Sequence, residues 1–163
     1  MNGLQMVGAI GAMLLAFIAL IAMLNGMLEA AGALVGLEQL TLERVLGGLL
    51  QPLAWALGVP WNEAQLAGSL IGQKFILNEF VAYVSYSEIA DQLSPHAQAI
   101  VIFALCGFAN LSSIAILLGG LGAVAPSRRD DISRYGMRAL IAASLSNLMS
   151  AALAGFFLSL GGL

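Results

Sequence analysis

The chain has 163 residues, of which 60% are hydrophobic and only 9% charged, with a mean hydropathy of +0.94. Ordinary soluble domains carry about 25% charged residues, so this composition excludes a soluble globular protein and describes an integral membrane protein, which the long apolar runs make all-α. The formal net charge of −3 arises from few charges, and no basic cluster interleaved with aromatics offers a footprint for nucleic acid.

At this length the limit is how many bilayer crossings fit, and the sequence accommodates three full spans and one irregular apolar region. The run from Leu4 to Leu28 is no signal peptide: it lacks a basic leader and exceeds the roughly 7 to 15 residues of such a core. It reads as the first spanning helix, within a segment 1–37. Gly8, Gly11, Ala12, Ala16, Ala19 and Ala22 give it a small-residue face for close helix approach. Gln5 and Asn25 lie near its ends and can reach the interface. Segment 38–60 is different: Gly32 and Gly36 loosen the chain before it, Thr41 can cap a helix, and Glu43 sits in the first turn, where the dipole favours an acid. Its leucines alternate irregularly with Glu43, Arg44 and Gln51, which predicts an amphipathic helix along the membrane surface. Trp55 and Trp61 suit an interfacial belt.

Segment 61–93 is apolar but interrupted by Asn62, Glu63, Gln65, Gly68, Gly72, Gln73, Lys74, Asn78 and Glu79. Charged residues at a helix centre cost roughly 2.5 to 3.5 kcal/mol each on insertion scales, so a plain crossing is disfavoured. The pattern predicts a re-entrant hairpin with arms over Ala64 to Phe75 and Phe80 to Glu88 and a tip around Ile76 to Asn78. Its irregular backbone must be shielded by protein. The partner is segment 94–126, where Ala97 to Val124 is long enough to cross but holds Gly107, Asn110, Ser112 and Ser113 at its centre. Such a helix is expected to break there, and discontinuous helices are where transporters bind substrate. The single cysteine, Cys106, excludes an intramolecular disulfide and a cysteine-based zinc site, and reads as a packing residue.

Segment 127–138 holds Arg128, Arg129, Arg134 and Arg138, four of the six basic residues, and reads as a cytoplasmic loop. Segment 139–163 is the final span, with Ser144, Ser146, Asn147 and Ser150 at its middle and the C-terminus outside. Counting back, the broken helix and the hairpin enter from outside, and the first span runs outward.

The runs Gly72-Gln-Lys-Phe-Ile-Leu-Asn-Glu-Phe-Val-Ala-Tyr83, Ala104-Leu-Cys-Gly-Phe-Ala-Asn110 and Gly119-Gly-Leu-Gly-Ala-Val-Ala-Pro126-Ser-Arg-Arg closely resemble the concentrative nucleoside transporter family. The likeness covers the whole chain, but only the carboxy-terminal half of a family member. It implies one half of an inverted-repeat transporter, with the last scaffold helix and the second repeat present and the first repeat missing. It further implies a homotrimer in the plasma membrane, the bacterial inner membrane, that takes up a nucleoside such as uridine with Na+ or H+ as the coupling ion. The resemblance places the coupling-ion site and the nucleobase contacts in the missing amino-terminal half.

Carried over by position, the ribose-recognising acid is Glu79, with Asn110 and Ser113 as further sugar contacts and Phe108 lining the pocket. The chemistry suits a sugar, since a carboxylate accepts from vicinal hydroxyls and an amide both donates and accepts. Competing structural roles are a Glu79 salt bridge to Lys74, a break-capping Asn110, and a Ser113 bonded to its own backbone. Asn78 is either a tip cap or a contact, and the cap is favoured. His96 reads as a solvated loop residue, Glu63 as an acid early in the hairpin, and Glu88 and Asp91 as its wetted end. No catalytic or metal site is expected: with one Cys, one His and scattered acids the chain has neither an activated nucleophile nor a metal cluster. The rival to transport is a noncatalytic membrane interaction subunit, or a transport-incompetent fragment.

Overall fold

The computed structural model describes residues 2–34, 36–37, 40–111, 113–114 and 125–161, with the backbone alone at 2–14, 16 and 17. Among the described residues every regular element is helical. The chain divides into two compact units, Met1–Val45 and Leu46–Leu163.

The first unit is built on α1 (Asn2–Leu34), 33 residues with neither proline nor any charge before Glu29. At about 1.5 Å per residue such a helix exceeds the roughly 30 Å hydrocarbon core. It stops where Gly36 takes a left-handed φ of 75° and the Leu37 N–H bonds back to Gly32 O at 2.9 Å. Gln5, Gly8, Gly11, Ala12 and Ala16 lie outside the described side chains, and Ala19 and Ala22 are exposed. Asn25 has partners within its own unit. Its Oδ1 accepts from the Leu42 N–H at 2.7 Å, and its Nδ2 donates to the Glu43 carboxylate at 3.0 and 3.3 Å. Asn25 therefore supplies an acceptor to the start of α2 (Leu42–Ala56), where Thr41 Oγ1 also accepts from the Arg44 N–H.

From Leu46 onward α2 belongs to the second unit. It ends in a Schellman turn: Gly58 has φ 106°, its N–H bonds Trp55 O at 2.9 Å, and the Val59 N–H bonds Ala54 O at 3.2 Å. Pro60 then opens α3 (Trp61–Ile76), and Trp55 meets Trp61 edge to face at 6.2 Å, both exposed. α3 packs on α2 through glycine. A Cβ at Gly68 would lie 2.9 Å from the Leu50 carbonyl carbon and 3.0 Å from Gly47 O, and one at Gly47 2.7 Å from Gln65 O.

α4 (Glu79–Ile89) folds back along α3, with Ser85 Oγ donating to the buried Gln73 Oε1 at 2.7 Å. A single 3₁₀ turn (Ala90–Gln92) leads into α5 (Pro95–Leu105), and Gln98 Nε2 donates to Ala90 O and Leu93 O across that turn. The arms thus run Trp61–Ile76 and Glu79–Ile89 with a two-residue tip, Leu77 and Asn78. α5 begins as sequence rules for helix starts require, with Ser94 as N-cap and proline at the first position. His96 accordingly lies in the first turn of a helix, half-buried, rather than in a solvated loop.

A 3₁₀ turn (Pro126–Arg128) precedes α6 (Arg129–Leu160). Residues 129–138 are therefore helical, where a loop was expected. Asp130 and Asp131 occupy the first turn, where the dipole favours acids, and Arg128 pairs with Asp131 at 2.7 Å. Among the described residues, Pro126–Leu160 is long and apolar enough to cross a membrane. α6 runs antiparallel to α5 and past its end. Gly155 meets Ile100, Asn147 meets Gly107 and Gly136 meets Ile114. The core of the unit gathers Ala64, Ala67, Leu70 and Ile71 of α3 with Ala97, Ile100, Val101 and Ala104 of α5.

The Gly68 contact is with backbone atoms that cannot rotate away. Gly68→Ala should lower stability by about 1–3 kcal/mol, read as a lower thermal midpoint in detergent. Gly48→Ala, whose Cβ meets nothing within 4 Å, should leave that midpoint unchanged.

Candidate functional site at the hairpin tip and helix break

Two chain interruptions create the site. At the tip, the Leu77 N–H closes on Gln73 O at 2.8 Å and ends α3, and Asn78 turns extended at φ −166°. Asn78 Oδ1 then accepts from the Val81 N–H at 2.9 Å, which caps α4 and puts Glu79 in its first turn. The positive end of the helix dipole suits an acidic side chain at that position.

The second interruption follows Leu105. Cys106 to Asn110 are not helical, and helical geometry resumes at Leu111, Ser113 and Ile114, with 115–124 outside the described residues. Asn110 caps this restart: its Oδ1 accepts from the Ser113 N–H at 2.9 Å. Its Nδ2 donates to Glu79 Oε2 at 3.2 Å and to Phe108 O at 3.2 Å. The amide orientation is fixed by these partners, because a flip would set NH₂ against an N–H and oxygen against both a carbonyl and a carboxylate. Ser113 Oγ lies 2.6 Å from Phe108 O and 3.1 Å from Asn110 Oδ1, with one proton to give between them.

Four sequence-predicted residues therefore fall in one place, with different exposures. Asn110 is buried at 5%, Glu79 and Ser113 are half-buried, and Phe108 is 76% exposed. Glu79 and Asn110 are joined directly; Ser113 reaches Glu79 only through Asn110. Asn78 has its side-chain oxygen engaged as a cap. Beside the break an open cavity of about 520 Å³ is bordered by Phe108, Ser113 and Gly107 and, across from them, by Gly136, Ala139 and Ala143 of α6. Among the described residues no group of three or more His, Cys, Asp or Glu side chains could hold a metal ion.

The salt bridge weighed for Lys74 and Glu79 is not formed. Lys74, fully buried, instead donates to Ala104 O at 2.6 Å and to Asn147 Oδ1. Asn147 returns a bond from Nδ2 to Phe103 O at 2.9 Å, and Tyr83 OH donates to Ile102 O at 3.0 Å. Cys106 Sγ is exposed and 3.3 Å from that same hydroxyl. At the other end of α5, Glu63 Oε2 accepts from Ser94 N and Ser94 Oγ, both at 2.9 Å. Glu88 and Asp91 are exposed. Sequence reasoning had marked Asn147 as polar at the centre of a span without giving it a partner, and passed over Tyr83. The available signal was the rule that a polar group in a span must bond something within it.

Residues 1–155 match the family described as Na+ dependent nucleoside transporter C-terminus. An uncharacterized transporter, YutK, of Bacillus subtilis (strain 168) is 56% identical over 157 residues, covering 96% of this chain and 39% of that protein. The nucleoside permease NupC of Helicobacter pylori is 48% identical over 164 residues, covering 98% of this chain and 39% of that protein. The solved structure of CNTnw in an inward-facing substrate-bound state matches with a TM-score of 0.95 at 54% identity, over 99% of this chain and 40% of that one. The chain spans about 40% of the length of these relatives. The fold is that of a membrane-embedded transporter, and the chain belongs to the concentrative nucleoside transporter family, whose carboxy-terminal portion it matches.

Proposed function

We propose that these residues form the carboxy-terminal half of a cation-coupled nucleoside symporter and hold the sugar of a nucleoside such as uridine between the hairpin tip and the helix break. The observation that carries this reading is the Asn110 to Glu79 bond at 3.2 Å, which joins two interrupted segments 31 residues apart. Only Oε2 of Glu79 is engaged among the described residues, so Oε1 is available to accept a sugar hydroxyl. A vicinal diol needs acceptors that are anionic and fixed, and a carboxylate at a helix N-terminus is both. Asn110 caps the resumed helix and orients Glu79 with the same amide, so its structural and binding roles coincide. Phe108, exposed at the mouth of the break, offers a face against which the ligand can stack.

The arginine-rich start of α6 belongs on the cytoplasmic side by the positive-inside rule. α5 and α3 then enter from the outer side, close to Trp61, and the hairpin re-enters without crossing. Transport proceeds by movement of hairpin and broken helix as one body within a homotrimer, carrying the nucleoside inward. The family description names sodium; a sodium or proton site belongs to the parts of such a transporter that this chain does not match, and no cofactor is involved.

In the natural gene product carrying these residues, Glu79→Gln should reduce nucleoside uptake by roughly tenfold or more, as loss of a charge-assisted bond implies, with normal membrane insertion. Unchanged uptake would favour the membrane interaction subunit. Asn110→Asp keeps an acceptor for the Ser113 N–H but sets a second carboxylate beside Glu79. Like charges at this separation repel, and the amide's bonds to Glu79 and Phe108 O are lost. Nucleoside binding by Asn110→Asp should therefore weaken by roughly tenfold or more, read by tracer binding against the native protein.

A further inference from the structure

We propose that Lys74 is a positioning residue: its buried ammonium caps the interrupted helix α5 and sets the distance at which Glu79 meets Asn110. The proposal rests on the reading in which Glu79 and Asn110 hold the sugar, and adds a residue that touches neither the sugar nor Glu79.

Lys74 is 0% exposed, and no carboxylate of the described residues stands within 4.0 Å of its ammonium. A buried charge without strong partners is costly. Its partners here are the Ala104 carbonyl, the Asn147 amide oxygen and the negative end of the α5 dipole. This is the arrangement of a cation at a helix C-terminus, with the lysine supplied by the neighbouring hairpin arm.

Register gives the contact its consequence. α3 and α5 lie parallel, fastened at their starts by Glu63 on Ser94 and at their inner ends by Lys74 on Ala104. Beyond the second fastening both chains lose helical geometry, through Leu77 and Asn78 on one side and Cys106 to Ala109 on the other. Glu79 follows Lys74 by five residues and Asn110 follows Ala104 by six. Among the described residues the Lys74 contact is thus the last hydrogen bond between α3 and α5 before the site residues. Asn147 closes the gap from the third side. It holds Lys74, donates to Phe103 O, and sits so near Gly107 that a Cβ there would lie 2.7 Å from its Oδ1.

The test uses the natural gene product in proteoliposomes, with Cys106→Ala and spin labels at Phe80→Cys and Leu111→Cys, both exposed positions flanking the site. Distances are read by pulsed electron resonance and labelled uridine binding is measured in parallel. Lys74→Met and Asn147→Ala should each broaden the distance distribution, and Lys74→Met should weaken uridine binding roughly tenfold or more, as expected for removing charge-assisted bonds. Glu79→Gln should lose binding while the distance stays narrow. Narrow distances with native affinity in Lys74→Met overturn the proposal; if that variant does not insert, the same result in Asn147→Ala overturns it. Native affinity in Glu79→Gln would instead sink the sugar-site reading, leaving the distances to decide the role of Lys74.

Discussion

The carbonyl groups at the end of α5 outnumber the backbone donors left to meet them: the Cys106 N–H is shared between Ile102 O at 3.2 Å and Phe103 O at 3.4 Å, and side chains from the surrounding helices supply the rest. Inside a bilayer no water is at hand, and each unsatisfied backbone group costs several kcal/mol. Ile102 O is met by Tyr83 from α4, Phe103 O by Asn147 from α6, and Ala104 O by Lys74 from α3. Each donor comes from a different helix. A break that would destabilise an isolated helix therefore becomes the point on which the hairpin, the broken helix and the long helix beside them converge.

The same interruptions explain why a polar site sits there. Two positive helix ends, those of α4 and of the segment resuming at Leu111, meet beside the gap, and each is capped by an asparagine, Asn78 and Asn110. The negative end of α5 is answered by a lysine instead. The gap thus offers an anion-favouring corner in which Glu79 remains a strong acceptor. α6 stays continuous past the break and splints it, because Gly155, Gly107 and Gly136 allow close approach at three successive levels. One carboxylate can then be held firmly on a segment whose own helix is discontinuous.

Much of this was legible in the residues. The polar groups from Asn62 to Glu79 pointed to two helical arms, found at Trp61–Ile76 and Glu79–Ile89, and Asn110 with its neighbouring serines marked the break. Asn78 followed capping chemistry. What could not be read were contacts whose acceptors are backbone carbonyls, since a carbonyl has no sequence signature. Lys74 invites pairing with the nearest acid along the chain, Glu79, yet its partner is Ala104 O. Local signals were misread in two places. The charges from Arg128 to Arg138 resembled a loop, although Asp130 and Asp131 make a good helix start. His96 resembled a loop residue, although Ser94 and Pro95 are helix-initiating and place it in the first turn of α5. The partner of Asn25, the start of α2, was not readable because it lies 17 residues further along the chain.

The central claim is that Glu79 accepts a hydrogen bond from the sugar of a nucleoside. Its most direct test is a cycle of four dissociation constants, for uridine and for its deoxygenated sugar analogue, each against the native protein and the Glu79→Gln variant. The account predicts that deoxygenation weakens binding to the native protein and has much less effect in the variant, with a coupling of about 1.5–3 kcal/mol for a bond to a charged group. Equal losses in both backgrounds would show that the hydroxyl and Glu79 act independently, and would contradict the account.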